Sequence, residues 1–389
     1  MDVQSHRSWR VPAARAGLGW RVFTPLLTAV AVVALSANTA GAAPRTATAA
    51  AVSPNYLWSV SCPDASHCFA VGQHTKPLGQ PVAAIDQLSG GTWAPVHSPG
   101  PPGSASATLV GVACASASNC LAVGTYDTSS GKSFPFAQRW NGTAWSLVTV
   151  PAAGSTSSSL DSIACASARS CWAVGSDRHG TLTEHWNGSA WAVFASPGGA
   201  GARLNSVACV APGVCWAAGE TQAGTLTLRW NVQAWTKQAT PSSGTSGGIL
   251  TGVSCASPTL CMAVGSGPGG MLTQQWDGKS WSLSGQVPLS APQGASCLGG
   301  LVCMAVGVRH TNPPQQSELT MAARWNGSAW SRLSTPKPAS NLNVHGLQGV
   351  ACVTASDCWA VGGSGSTGEP GLASRIIEHW NGTWWSLVG

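Results

Sequence analysis

The sequence predicts an all-β protein, a seven-bladed β-propeller of four-stranded antiparallel blades, and three observations predict it. A unit typified by residues 165–197, CASARSCWAVGSDRHGTLTEHWNGSAWAVFASP, recurs seven times, starting near Leu57, Leu109, Leu160, Leu204, Leu250, Pro292 and Leu347. Each copy holds four short strand-like runs separated by turn signals, and the Cys-to-Cys step between copies is 42 to 55 residues, the length of a propeller blade. Only 8% of residues are charged, and the chain is rich in Gly, Ser, Thr and Trp while poor in helix formers. A unit this small cannot bury its apolar face alone, so the copies must stack on one another.

Taken in order, the chain opens with Arg7, Arg10, Arg15 and Arg21 ahead of an apolar run over residues 23–37, followed by the small-residue site Ala40-Gly41-Ala42. That is the layout of a cleaved signal peptide, 1–42; the rival reading, an uncleaved anchor, has a 15-residue run containing Pro25 where a span needs about 20. Residues 43–56 read as an Ala/Thr/Pro linker, and 57–389 as the seven-repeat propeller. The formal charge of +6 is concentrated in the leader; without its four Arg and Asp2, 15 basic and 12 acidic side chains remain, with no basic run. That excludes an electrostatic footprint for nucleic acid.

The first strand of each unit has the form Leu-x-[Gly/Ser]-Val-[Ser/Ala]-Cys. Its third and fifth positions share one face and are small in every copy, from Ser59/Ser61 to Gly349/Ala351, as an innermost strand crowded toward a common axis requires. The sixth copy has Pro292 for Leu and Ala295 for Val and is expected to form the weakest inner strand. The second strand is Cys-x-Ala-Val-Gly, with Ala218 for Val in the fourth copy. All 14 cysteines are thus spaced Cys-x5-Cys, in the pairs Cys62/Cys68, Cys114/Cys120, Cys165/Cys171, Cys209/Cys215, Cys255/Cys261, Cys297/Cys303 and Cys352/Cys358. A hairpin sets each pair opposite, so they read as one disulfide per blade in an exported chain. Zinc, the rival, would need four converging ligands.

The third strand ends at a Trp in six copies (Leu88 in the first), Asn-Gly or Asp-Gly follows in five, and the fourth strand carries a second Trp in all seven. A two-residue Asn187-Gly188 turn would pair Trp186 with Ser189 and place Trp191 on the same face. Two indoles per blade, facing the next blade, would then form the core between blades; the alternative is exposed aromatic platforms for sugars. The first and last units both look complete, so the ring would close by packing the first blade on the last, unless Ala50-Ala51-Val52 pairs as a stray outer strand.

This repeat resembles the kelch and galactose-oxidase type of propeller, and more closely secreted bacterial propellers with a Trp-Asn-Gly-x-x-Trp signature. Its turn with a trailing Trp is similar, more distantly, to the sialidase Asp-box. The resemblance covers 57–389 and implies fold, not activity. Galactose oxidase needs a tyrosine radical and copper ligands, and sialidases an arginine triad with a Tyr/Glu nucleophile, whereas this chain has only Tyr56 and Tyr126 and lacks the kelch Gly-Gly doublet in most units. No active site, cofactor or metal carries over.

Function is expected on one face. Loops 1–2 and 3–4 have one length throughout, whereas the span from the strand-two Gly to the strand-three aromatic position runs 16, 16, 11, 11, 11, 18 and 18 residues. Units 6, 7, 1 and 2 are neighbours in a closed ring, so the long loops form one wall holding Tyr126, Lys132, Phe134, Phe136, Arg309 and His310, with His74, Lys76, Glu318 and Glu369. The bland alternative is that these are tolerated insertions. A second candidate is the channel mouth, ringed by the second inner-strand residue of each copy: Trp58, Val110, Asp161, Asn205, Thr251, Gln293 and Gln348. These either grip a ligand or hydrogen-bond water and each other. The reading that fits best is a secreted, monomeric, non-catalytic propeller binding an extracellular polysaccharide or protein, with no nucleic acid, and no membrane after signal cleavage. The alternative is a glycan hydrolase or lyase, for which Asp161 lacks an acidic counterpart on the ring. The sequons at Asn141, Asn187, Asn326 and Asn381 read as turn chemistry.

Overall fold

The computed structural model describes residues 55–388 apart from 76–78, 152–156, 242–246, 268–269, 286–290, 300–301, 311–317, 338–343 and 367–368. The expected leader, most of the linker and the stray strand at Ala50-Ala51-Val52 lie outside these residues. Seven blades follow one another, each of four antiparallel strands paired in chain order; blades 6 and 7 are also joined by one parallel bridge, Glu318 to Val344. The inner strands are Tyr56–Asp64, Ser104–Ser116, Ser159–Ser167, Arg203–Ala211, Ile249–Ser257, Ala291–Leu298 and Val344–Thr354. Even the sixth, with Pro292 and Ala295, pairs in the same register as the rest.

All seven predicted disulfides are present, one per blade, with Cα–Cα separations of 3.9 to 4.2 Å across the inner hairpin. Their two ends differ. The strand-two cysteine of each bridge is buried, at 0 to 1% exposure: Cys68, Cys120, Cys171, Cys215, Cys261, Cys303 and Cys358. Each of these belongs to a different one of the seven apolar clusters between blades. The inner-strand partners Cys62, Cys114, Cys165, Cys209, Cys255 and Cys352 are only partly buried, and Cys297 is 9% exposed. The bridge therefore ties the inner strand to the core as well as closing the hairpin.

An inner strand is a sheet edge, with N–H groups that its own blade leaves unpaired. The small positions answer this. The Ser59 and Ser61 hydroxyl oxygens accept the N–H groups of Val112 and Cys114 in the next blade at 3.3 and 3.0 Å. Ser162, Ser206, Ser254 and Ser296 do the same for Val207, Val253, Cys297 and Cys352. Elsewhere glycine permits direct approach: a Cβ on Gly349 would sit 3.0 Å from the Trp58 carbonyl oxygen of blade 1. Smallness therefore reflects a hydrogen-bond role as well as crowding.

The core lies between blades. The two indoles of a blade are direct cross-strand partners, as in Trp186 with Trp191, so the hairpin loop has four residues and not the expected two. Asn187 caps it, its Oδ1 accepting the N–H of Ser189 and of Ala190 at 2.9 Å and the Ser189 hydroxyl at 2.8 Å. Each indole pair faces the preceding blade, not the next. There it receives the variable residue of Cys-x-Ala-Val-Gly as a wedge: Phe69, Leu121, Trp172, Trp216, Met262 and Met304 in turn. Trp216, for example, lies 4.5 Å from Trp276 and 5.1 Å from Trp281, centroid to centroid. Arg229 caps the same stack, its guanidinium 5.7 Å from the Trp216 ring.

The ring closes by the same device. Trp359 of blade 7 packs on Leu88 and, edge-on at 5.4 Å, on Trp93 of blade 1. Tyr56 of blade 1 lies across Gly363, where any Cβ would strike its ring, and Arg375 of blade 7 pairs with buried Asp86 of blade 1. Among the described residues no blade is shared between the chain ends, as the completeness of the first and last units predicts.

Candidate functional site

Every inner strand carries a bulge at its second position: pairing skips Trp58, Val110, Asp161, Asn205, Thr251, Gln293 and Gln348. Opposite each bulge stands the strand-two Gly, whose Cβ would strike the carbonyl just before the inner-strand Leu (Tyr56 O against Gly72, Arg203 O against Gly219). That clash explains why this Gly occurs in all seven copies. A bulge re-aims its side chain, and the seven re-aimed residues line an axial cavity of about 540 Å³.

Several of these ring residues fasten the next blade. Asn205 Nδ2 donates to Leu250 O at 2.9 Å, the Thr251 hydroxyl to Pro292 O at 2.7 Å, and Gln348 Nε2 to the Tyr56 hydroxyl at 2.7 Å. Tyr56 in turn lies 4.7 Å from Trp58. Asp161 Oδ2 receives Arg203 Nε at 3.0 Å and the Ser159 hydroxyl at 3.3 Å.

Two charged cavity residues escaped the sequence reading, Arg203 and Glu220. Arg203 precedes the inner-strand Leu of blade 4, and Glu220, its cross-strand partner, follows the strand-two Gly. Burial works against the Arg203 charge, but Asp161 and Glu220 outweigh it and raise its pKa above the ordinary value. Asp161 thus has an acidic counterpart on the cavity after all, supplied by the second strand. The signal available was the pairing of the residue before Leu with the residue after Gly, which needs the bulge register.

The long loops are extended hairpins. In blade 2, Asn119–Thr128 and Ser133–Trp140 pair up to Asp127 with Ser133, and Asp127 accepts the hydroxyls of Ser133 and Ser106 at 2.6 and 2.7 Å. Those two hydrogen bonds hold its carboxyl below the usual range. Lys132 is exposed at the tip, while Tyr126 and Phe134 are half-buried and stacked at 5.7 Å. Phe136 is a correction: it is 4% exposed and belongs to the core between blades 1 and 2, so it offers no surface to a partner. The same burial removes Cys68, Cys120, Cys171, Cys215, Cys261, Cys303 and Cys358 from any ligand-facing surface: they are bridged and packed in the core, and their role is structural. Arg309 is half-buried on the second strand of blade 6, paired with Leu319. His310 closes that strand, Lys76 lies outside the described residues, and the aromatic wall is smaller than expected.

Geometrically this is a propeller with a polar axial cavity on its variable face, stapled by its inner hairpins. No family model matches the chain and no curated protein matches it. Among solved structures it is similar to YCF48 bound to D1 peptide (12% identity, 84% of this chain and 93% of that one, TM-score 0.54). It is similar also to the WD40 β-propeller domain of Doa1 (12%, 83% and 92%, 0.53) and to virginiamycin B lyase from Staphylococcus aureus (10%, 79% and 91%, 0.51). At such identities the likeness shows the fold alone, and it does not distinguish a kelch-type lineage from others. Seven disulfides suggest an oxidising, extracellular setting, and among the described residues no helix is long and apolar enough to cross a membrane.

Proposed function

We propose that this chain is an exported, monomeric, non-catalytic kelch-like propeller: a signal peptide over 1–42, a linker over 43–56, and a binding module over 57–389 that takes a partner on its variable face. The observation that carries the reading is the asymmetry of the faces. One carries short turns of uniform length in all seven copies, while the other carries the extended hairpins and the mouth of the axial cavity. A peptide-bound propeller among the similar structures supports a protein partner; an extracellular polysaccharide is the other candidate. Binding residues on this reading are Tyr126, Lys132 and Phe134 on the hairpin wall, Arg309 and His310 on its far side, and Asp161, Asn205 and Gln348 on the ring. The enzyme reading, a glycan hydrolase or lyase, draws support from Asp161 and Glu220 sharing the cavity, though the Asp161 carboxylate is already engaged by Arg203 and Ser159.

The test is retention of the oxidised chain on a panel of insoluble polysaccharides and immobilised peptides, with released sugar assayed in the same tubes. Binding without release, lost in Lys132→Glu or Phe134→Ala but kept in the constant-face control Lys279→Glu, supports the proposal. Release of soluble sugar that stops in Asp161→Asn or Glu220→Gln overturns it in favour of the enzyme.

A further inference from the structure

The lining of the axial cavity changes character by arc. Blades 1 and 2 contribute the Trp58 indole and Val110, an apolar wall. Directly after them come Asp161, Arg203 and Glu220, two anions around one cation, so the arc carries a net charge of −1. Arg203 is compensated from both sides, with Asp161 on its Nε and Glu220 raising its pKa further. Beyond that arc, Asn205, Thr251 and Gln348 each direct a donor into the scaffold. Each of the two amides keeps its oxygen and its second N–H for a ligand, and the Thr251 hydroxyl keeps its lone pairs.

We infer that the axial cavity takes the basic side chain, lysine or arginine, of a partner peptide, with its aliphatic stem on Trp58 and Val110 and its cation on Asp161 and Glu220. This rests on the partner-binding function proposed above and specifies its ligand. An anion would face two carboxylates for one guanidinium. A neutral sugar would leave the net negative charge of the Asp161–Arg203–Glu220 arc unanswered. A cation with several N–H donors is the complement of an anionic arc. Basic side chains are also the ones that are apolar along the stem and charged at the tip, which matches two adjoining arcs, and an indole face attracts a cation. The cavity volume of about 540 Å³ lies in the range of sites that enclose a small ligand.

The experiment is isothermal titration of the oxidised chain at low salt with three probes: N-acetylated, C-amidated Gly-Lys-Gly, the same peptide with norleucine for lysine, and n-butylamine. The lysine peptide should bind at least about tenfold more tightly than the norleucine peptide, and Glu220→Gln should weaken it by about tenfold without moving the melting temperature. Affinity should fall as salt is raised, because the charges are only part-buried. Equal binding of lysine and norleucine peptides, absence of binding by the lysine peptide, or unchanged affinity in Glu220→Gln would each overturn the inference. Binding of n-butylamine as tight as that of the lysine peptide would make a free amine, not a peptide, the ligand and overturn it likewise. If Glu220→Gln leaves partner retention intact while Lys132→Glu abolishes it, this inference fails and the variable-face function stands.

Discussion

Two aspartate–arginine pairs cross from one blade to the next, and their surroundings differ. Asp161 and Arg203 join blades 3 and 4 at the rim of the cavity, where the arginine side chain is 49% exposed and the aspartate 16%. Asp86 and Arg375 join blades 1 and 7 inside the seam that closes the ring, where the aspartate is fully buried. Asp86 belongs to a series: two residues before the strand-three aromatic position, Asp86, Gln138, Glu184, Gln274 and Glu378 are all buried against the preceding blade. Gln138 is satisfied there by Ser98 and Pro99 of the connection from blade 1. The same chemical pair is therefore a seam component in one place and part of the cavity lining in the other. What decides is solvent: water screens the rim pair and leaves its atoms open to exchange partners, whereas the buried pair has nothing to exchange with.

Removing the cation tests this most directly. Arg375→Leu leaves Asp86 buried without its partner and should cost about 3–5 kcal/mol of unfolding free energy in urea near pH 8. Arg203→Leu should cost no more than about 1 kcal/mol, since Asp161 remains in contact with water. Equal costs would mean the two seams are not distinguished by burial. The Arg375→Leu penalty should also shrink near pH 5, where Asp86 can take a proton in place of the guanidinium.

The buried series makes a second test, in pH. Burial raises Asp86 to about 6, although Arg375 opposes it, and burial raises Glu184 to about 8 and Glu378, against a hydrogen bond from Thr320, also to about 8. An acid whose folded pKa lies above its unfolded value holds a proton that the unfolded chain has released, so stability falls as pH rises between the two values. As far as these groups decide, the propeller should therefore be most stable at and below about pH 4. Each should then cost it up to about 1.4 kcal/mol per pH unit, Asp86 until pH 6 and the two glutamates until pH 8. Glu184→Gln should flatten the dependence between pH 5 and 8, measured by melting across a pH series. Unchanged slope in that variant would place the pH sensitivity elsewhere.

The contrast between rim and seam also separates what was legible in the chain from what was not. Repeat phase shows the blades, the disulfides, the paired indoles and the ring of second-position residues, because each recurs at fixed spacing, the indole pair in six copies and the rest in all seven. It misses Glu220 and Arg203, which are single-copy residues brought to the cavity by a bulge whose register no one-dimensional spacing reveals. It misplaces Phe136, since strand extension at the long hairpins turns an apparent loop residue inward. It pairs the cysteines but does not tell their two ends apart, because burial of the strand-two end depends on the neighbouring blade. It reads the Asn187-Gly188 turn as two residues, because the Asn side chain, not the backbone alone, closes the loop. Periodic features are legible since packing selects them in every copy; Arg203 and Glu220 are not, since each occurs where one copy departs from the others.

One such departure is not functional, and it yields the smallest expected effect. The strand 3–4 turn needs a left-handed residue at its second position, which is Gly at 142, 188, 278, 327 and 382, each with φ between 95° and 101°. Blade 4 has Val232 there, at φ 77°, and it is the one non-glycine residue at positive φ among the described residues. A β-branched side chain is poorly suited to that region, and Val232 is 68% exposed, so little packing compensates. Val232→Gly should therefore stabilise the protein, relief of strain outweighing the entropy glycine adds to the unfolded chain, by about 1 kcal/mol in urea denaturation. Because the turn lies on the constant face, neither partner retention nor the heats measured at the cavity should change. A loss of stability would mean that contacts of Val232 such as that with Gly213 outweigh the backbone strain, and that even this face is tuned copy by copy.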